Sequence, residues 1–194
     1  MMSSDRDLIL DIHPLTPERW VDLETLFGPK GACGGCWCMY WRQTRSQFNA
    51  RLGEPNHQAF KAIVLSGEPV GLLAYAAGKP LGWMAIAPRD EYPTLDRSRV
   101  LKRVDDRKVW SVSCFYTAPG FRTKGVTVAL LEASKDFVRQ QHGTIVEGYP
   151  IIPRNNKVST VAAYTGLLSA YLQAGFQEVA RYSATRPIMR FELK

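Results

Sequence analysis

The stretch CFYTAPGFRTKGVTVALLEASKDF, residues 114–137, decides how the chain is expected to fold. It predicts a strand, a tight turn and then a helix. The turn reads Arg122-Thr123-Lys124-Gly125-Val126-Thr127. In the helix, the apolar residues Val126, Leu130, Ala133 and Phe137 recur at the spacing of one helical face. This face is expected to pack on a sheet.

The turn has the chemistry of a phosphate site. The first backbone N–H groups of a helix have no intrahelical partner, and the helix dipole adds partial positive charge at the same place. Gly125 lets a ligand approach the backbone, Thr123 or Thr127 can add a hydroxyl donor, and Arg122 and Lys124 add charge. We therefore expect a pyrophosphate group to bind here.

The same turn resembles the acyl-CoA signature of the GNAT N-acyltransferase superfamily, which reads Arg/Gln-x-x-Gly-x-Gly/Ala. The matching residues are Arg122-x-x-Gly125-x-Thr127, after a strand that ends in Thr117-Ala118-Pro119. Thr127 departs from the small residue of the pattern, so it either crowds the phosphate loop or adds a hydroxyl contact. A basic turn that caps an amphipathic helix is the alternative. The resemblance implies acetyl-CoA or another acyl-CoA as co-substrate, bound by Phe115, Tyr116, Thr117, Arg122, Thr123, Lys124, Gly125, Val126 and Thr127.

The order of predicted elements is also similar to the GNAT fold. It runs strand, helix, helix, hairpin, strand, helix, strand, helix, hairpin, with the first hairpin over residues 70–87 and the last over 177–193. The resemblance implies an α/β (α+β) protein with a mixed sheet flanked by helices, forming one domain over residues 1–194. Residues 1–7 are expected to be a flexible N-terminus. In this fold the strands at 109–117 and 144–148 splay apart, and the pantetheine arm lies between them.

Composition constrains the partners only weakly. The chain has 25 Lys and Arg against 18 Asp and Glu, a net charge of +7, which favours anionic partners without choosing among CoA phosphates, nucleic acid and acidic substrates. The polar N-terminus shows no signal-peptide pattern, so a cytoplasmic location is expected. For the four cysteines, reduced thiols or a metal are favoured over disulfides.

Two residues are candidates for catalysis. Tyr171 precedes Gly175 by four positions, and the resemblance implies that it acts as general acid toward the CoA sulfur; simple packing in the helix is the alternative. The strand at 109–117 offers no carboxylate, so Glu147, at the end of the neighbouring strand, is the candidate to accept a proton or hold a cationic substrate. A solvated strand-end carboxylate is the alternative for Glu147, and Asp90 and Glu91 are weaker candidates.

The segment CGGCWCMYWR, residues 33–42, is called the cysteine loop here. The resemblance implies that its aromatic residues Trp37, Tyr40 and Trp41 form the wall of the acceptor pocket, and aromatic walls suit an apolar or cationic acceptor. Packing of the loop against the core is one alternative. A zinc site is another, but Cys33, Cys36 and Cys38 supply only three ligands, and Cys114 or His57 would have to complete it. No metal is the favoured reading.

These observations favour an N-acetyltransferase. It moves an acetyl or other short acyl group from acyl-CoA to a primary amine of a small molecule or peptide by direct attack. Cys114 as a covalent acyl carrier stays open, without a visible histidine partner. Neither nucleic acid nor membrane is an expected partner, and a homodimer is left open. The alternatives are a non-catalytic acyl-CoA sensor and a zinc-bearing nucleic-acid module built on Cys33, Cys36 and Cys38.

Overall fold

The computed structural model describes residues 8–153 and 162–194. A seven-stranded sheet runs through it in the order β1-β2-β3-β4-β5-β7-β6. The strands are β1 Asp11–Pro14, β2 Gly71–Ala76, β3 Lys79–Pro88, β4 Trp110–Thr117, β5 Ile145–Gly148, β6 Gln177–Arg181 and β7 Pro187–Glu192. The helices are α1 Trp20–Phe27, α2 Arg45–Ala50, α3 Glu54–Leu65, α4 Pro93–Asp96, α5 Val126–Gln140 and α6 Leu168–Gln173. The predicted mixed sheet flanked by helices is confirmed, whereas the expected flexible N-terminus lies outside the described residues.

Both predicted hairpins are present. β2 and β3 pair antiparallel through a two-residue turn at Ala77 and Gly78, which both have positive φ angles of 47° and 72°. Such turns match the twist of the flanking strands. β6 and β7 pair antiparallel at the opposite edge of the sheet.

The central strand β4 changes its pairing halfway along its length. It pairs in parallel with β5 only from Trp110 to Val112, and β5 ends at Gly148. On its other side, the register with β3 shifts so that Ser113 is an extra residue between the pairs Cys114–Ala85 and Val112–Ile86. This bulge and the end of β5 leave the second half of β4 without a neighbour from β5, so the two strands part as predicted.

Helix α5 packs on one face of the sheet. Its buried residues include Val126, Leu130 and Phe137, which confirms the predicted apolar face. The helix approaches the sheet closely at Gly82 of β3, where a Cβ atom would lie only 2.6 Å from Cγ1 of Val126. This contact places the N-terminus of α5 against β3, at the position that pairs with Thr117 of β4.

The opposite face of the sheet carries α1, α3 and the cysteine loop. Trp83 of β3 is fully buried there, packed edge-on against Phe27 of α1 and Phe60 of α3. The elements that were not predicted include α2 and a 3₁₀ turn at Ala162–Thr165 that separates α6 from the preceding chain. No helix in the described parts of the chain is long and apolar enough to cross a membrane.

Candidate active site

The turn before α5 has the geometry that its sequence indicates. Thr123 and Gly125 both have positive φ angles, 63° and 78°, and Gly125 is the residue that precedes the first turn of the helix. A Cβ at Gly125 would meet no atom within 4 Å, so open space lies above this residue. The first N–H groups of α5 therefore face a region that a ligand can enter.

A cavity of about 540 Å³, called the helix cavity here, lies at this turn. It extends from the N-terminus of α5 along the second half of β4 to the start of α6. Eight of the nine predicted cofactor-binding residues line it: Phe115, Tyr116, Thr117, Arg122, Thr123, Gly125, Val126 and Thr127. Lys124 is the exception, since it points its ammonium group toward the ring of Phe121.

A second cavity, of about 480 Å³, lies under the cysteine loop and is called the aromatic cavity here. Tyr40 and Trp41 line it, as predicted for an acceptor wall, together with all four cysteines. Trp37 does not line it. Its side chain is buried in the core, with its ring centre 4.2 Å from that of His57 and 5.6 Å from that of Phe27.

The two cavities meet at four shared residues. Phe115 and Tyr116 of β4, Arg122 of the turn and Tyr164 of the 3₁₀ turn line both of them. The junction therefore lies beside the part of β4 that has separated from β5. A ligand in either cavity would contact these shared residues.

Tyr164 was missed as a site residue. It was expected at the start of one long helix, whereas the structure places it in the separate turn Ala162–Thr165 at the junction. Burial raises the pKa of its phenol, so the hydroxyl stays protonated at neutral pH. The glycine at position 166, with a φ of 87°, was the available signal that the helix is interrupted.

Tyr171, the predicted general acid, lies in α6 and is fully buried. Its hydroxyl donates to the backbone oxygen of Thr165 at 3.3 Å, and its ring covers Gly148. It lines neither of the two cavities. This environment is typical of a core tyrosine.

Glu147, the candidate base, is 1% exposed instead of solvated. Its Oε1 accepts hydrogen bonds from Arg89 at 3.0 Å and from Tyr149 at 2.6 Å, and its Oε2 accepts one from Arg190 at 2.8 Å. Both oxygens are therefore engaged inside the protein. Asp90 and Glu91 are exposed and pair with Arg103 and Arg42.

The three cysteines of the loop differ in how deeply they are buried. Cys33 is exposed, Cys36 is half-buried, and Cys38 is buried with its sulfur 3.1 Å from Nε1 of Trp83. Within residues 8–153 and 162–194, no group of three His, Cys, Asp or Glu side chains is arranged to hold a metal ion. Residues that sequence spacing alone could join into a zinc site thus do not converge.

The pKa values of these thiols diverge. Burial raises the pKa of Cys36 to about 11. Hydrogen bonding between Cys38 and Cys114 lowers the pKa of Cys38, helped by the N–H of Trp83, and raises that of Cys114 well above the usual range. At neutral pH, Cys36 and Cys114 are therefore neutral thiols.

Residues 36–156 match the model of the acetyltransferase (GNAT) family, which is well over half of the chain. The chain belongs to the GNAT acetyltransferase family. This match confirms the predicted superfamily and the predicted enzyme class. The matched segment begins within the cysteine loop and includes β4, the turn and α5. No curated protein matches the chain in sequence.

Solved GNAT structures share the fold at low sequence identity. An acetyltransferase of the GNAT family from Listeria monocytogenes is 13% identical, with a TM-score of 0.56, and the match covers 95% of each chain. YncA from Salmonella typhimurium, solved with acetyl-CoA, is 15% identical, with a TM-score of 0.51 and coverage of 95% of this chain and 94% of that one. The PaiA N-acetyltransferase from Thermoplasma acidophilum, in complex with coenzyme A, is 14% identical, with a TM-score of 0.51 and coverage of 95% and 99%.

Proposed function

We propose that this GNAT protein transfers an acetyl or other short acyl group from acyl-CoA, held in the helix cavity, to an amine held in the aromatic cavity. The observation that carries the proposal is the junction of the two cavities at Phe115, Tyr116, Arg122 and Tyr164. A two-substrate transfer needs two sites that meet at one point, because holding both reactants in contact supplies much of the rate acceleration.

The helix cavity fits the pyrophosphate and pantetheine of CoA. Gly125 leaves the backbone N–H groups of α5 open, and Arg122 provides positive charge at the same place. The second half of β4 pairs with β3 but not with β5, so the backbone groups on its β5 side are available to an extended arm. The structures of Salmonella YncA and Thermoplasma PaiA, which carry acetyl-CoA and coenzyme A, support this assignment.

The chain's own residues supply proton transfer at the junction. The departing CoA thiolate needs a proton, and Tyr164, whose hydroxyl is protonated at neutral pH, lines both cavities. For Tyr171, whose hydroxyl is held by Thr165, we infer a packing role. For Glu147, whose oxygens bind Arg89, Arg190 and Tyr149, we infer a structural role.

Two observations favour the proposed transferase over the alternatives, which are a non-catalytic acyl-CoA sensor and a zinc-bearing nucleic-acid module. A non-catalytic acyl-CoA sensor needs the helix cavity alone, so a second cavity of similar size at the acyl end favours an enzyme. A zinc-bearing nucleic-acid module needs at least three converging ligands, and among the described residues no group of three His, Cys, Asp or Glu side chains, Cys33, Cys36 and Cys38 included, is arranged to hold a metal.

Calorimetric titration with acetyl-CoA tests the cofactor site. The native protein is compared with Gly125→Glu, whose side chain would occupy the phosphate position. Gly120→Glu is the matched control, since Gly120 has a φ of 79°, the same open surroundings and no part in the cavity. We expect binding by the native protein and Gly120→Glu, and loss of binding in Gly125→Glu.

Transfer itself is tested by incubation with acetyl-CoA and a library of amines, read by mass spectrometry of the products. An acetylated amine whose formation stops in Gly125→Glu supports the proposal. Binding of acetyl-CoA without any acetylated product would favour the sensor, and no binding by the native protein would remove the proposal altogether.

A further inference from the structure

The wall of the aromatic cavity contains almost no charged side chains. The described residues that line it include no aspartate, glutamate, histidine or lysine, and the one charged residue among them is Arg122. The wall is instead made of rings and thiols. The rings belong to Phe27, Tyr40, Trp41, Phe48, Phe115, Tyr116 and Tyr164. An alkylammonium ion entering this cavity would lose its water without gaining a carboxylate partner, which is costly.

Positive charge already surrounds the cavity. The guanidinium of Arg45 lies 5.6 Å from the ring centre of Tyr40 and donates to its hydroxyl at 3.1 Å. The side chain of Arg42, 6% exposed, lies over the ring of Tyr92, and its charge contributes to the lowered pKa of Cys38. Among the rings of the cavity wall, Tyr40 thus already has a cation partner in the protein's own Arg45. A cationic guest would also be repelled by Arg122.

We propose that the acceptor is an aromatic amine, in which the nitrogen is bonded directly to the ring. Such an amine is uncharged at neutral pH because its lone pair is delocalised into the ring. Its ring would pack edge-on or offset against the side chains of the cavity, as aromatic pairs prefer. The cavity, about 480 Å³, has the size of a small-molecule site. This inference rests on the proposed acyl transfer.

The proton balance agrees with this acceptor. The neutral nitrogen forms a bond to the acyl carbon, the bond between that carbon and the CoA sulfur breaks, and its electron pair stays on the sulfur. The sulfur takes the proton of the Tyr164 hydroxyl, and the nitrogen returns one proton to the Tyr164 oxygen. The products are an anilide and CoA thiol. No carboxylate base is needed before the attack, so the lack of a carboxylate in β4 has a chemical reason.

The thiols of the cavity would also make favourable contacts with an aromatic amine. Cys36 and Cys114, whose pKa values are raised, present neutral sulfur to the cavity. Neutral sulfur is polarisable and makes favourable contacts with aromatic rings. An aromatic guest would therefore contact rings and sulfur on most sides, without an unpaired charge.

The test compares 4-methylaniline with 4-methylbenzylamine, which differ by one carbon between ring and nitrogen. With the native protein and acetyl-CoA, the acetamides are quantified by mass spectrometry between pH 6.5 and 9. We expect kcat/KM at pH 7 to be at least about tenfold higher for 4-methylaniline and nearly constant with pH. For 4-methylbenzylamine it should rise about tenfold per pH unit, following the neutral fraction of the amine.

A variant is expected to weaken the preference for the aromatic amine. Cys36 lines the cavity, so Cys36→Asp introduces the missing carboxylate, and Cys36→Asn is the matched uncharged control. We expect Cys36→Asp to lower the ratio of kcat/KM for 4-methylaniline over 4-methylbenzylamine by at least about tenfold, and Cys36→Asn to keep the native preference. Thermal melting shows whether both variants fold, and the native pH profiles decide the question if they do not.

The outcomes distinguish the aromatic-amine inference from the proposed acyl transfer on which it rests. Acetylation of 4-methylbenzylamine in preference to 4-methylaniline, or of neither amine, overturns the aromatic-amine inference. Acetyl-CoA binding and turnover with any aliphatic amine would then leave the proposed acyl transfer standing. Failure of the native protein to bind acetyl-CoA would overturn both.

Discussion

Arg190 donates from Nε to Oε2 of Glu147 at 2.8 Å, and the two residues stand directly opposite each other on β7 and β5. Asp105 holds the other end of the same guanidinium, at 2.6 and 3.0 Å. Arg89 and Tyr149 satisfy the second oxygen of Glu147. This buried network fixes β5 at the place where it must part from β4.

Replacement of Glu147 tests the role of that network. Glu147→Gln replaces the carboxylate shared by Arg89 and Arg190 with a neutral amide, while each arginine keeps one aspartate partner, Asp96 and Asp105. We therefore expect the free energy of unfolding to fall by about 1–3 kcal/mol, the cost of weakened hydrogen bonds to buried charged groups. Urea unfolding at pH 7 measures the loss. The control is Glu192→Gln, which removes an exposed pair with Arg107 and should change stability little. A Glu147→Gln protein that is as stable as the native one but inactive would instead identify Glu147 as the base.

The two tyrosines are distinguished by removal of their hydroxyl groups. Tyr164→Phe should lower kcat by about 10²-fold or more while leaving the KM for acetyl-CoA nearly unchanged, because it removes the proton donor at the junction. Tyr171→Phe should change kcat little. Steady-state kinetics with one amine measures both, and the reverse ranking would return the acid role to Tyr171.

The pH dependence of the native enzyme checks the same assignment. Because burial raises the pKa of Tyr164 above its ordinary value of about 10, the phenol stays protonated as the pH rises from 6 to 9. We therefore expect no fall in kcat with rising pH over this range. A fall through a pKa near 8 would show that a different group donates the proton.

Gly148 is expected to tolerate no side chain. A Cβ at this position would lie 2.2 Å from Cε1 of Tyr171. Gly148→Ala should therefore lower the free energy of unfolding by about 1–3 kcal/mol, as overpacking of a core does. Combination with Tyr171→Leu should recover part of the loss relative to the sum of the single changes, which a double-mutant cycle measures. Simple additivity of the two changes would contradict the contact.

Thiol labelling tests the difference in exposure between Cys33 and Cys36. Iodoacetamide at pH 7.5 should modify the exposed Cys33 first, since alkylation needs an accessible thiolate. Cys36, whose pKa is about 11, should react slowly and accelerate with each unit of rising pH, because its thiolate fraction grows until the pH reaches the pKa. Peptide mass spectrometry follows both rates. Equal rates at pH 7.5 would show that Cys36 is not buried as described.

The parts that could be predicted from the sequence are those fixed by local patterns. The apolar periodicity of Val126, Leu130 and Phe137 predicts α5, and the turn with Gly125 predicts the helix cavity. The surroundings of Glu147 could not be predicted, because Arg89 and Arg190 lie 58 and 43 positions away in the chain. Its burial is a property of the assembled sheet.

The missed features of the aromatic cavity have two different causes. Helix α2 had a local signal, the capping box of Thr44 and Gln47, in which each side chain bonds the backbone of the other residue. The separation of Trp37 from Tyr40 and Trp41 had none. It depends on positive φ angles at Trp37 and Cys38, 42° and 56°, which turn the chain so that Trp37 enters the core.

The two cavities are formed by different parts of the chain, and this difference has an evolutionary consequence. The helix cavity lies at the end of β4 and the start of α5, where the main-chain N–H groups of the helix N-terminus are present whatever the side chains are. Much of the aromatic cavity is built from side chains of one loop and the following helix α2, outside the sheet. Under the proposed function, substitutions in that loop would therefore exchange one acceptor for another while the acyl-CoA site is retained, and related chains with different loops would acetylate different amines.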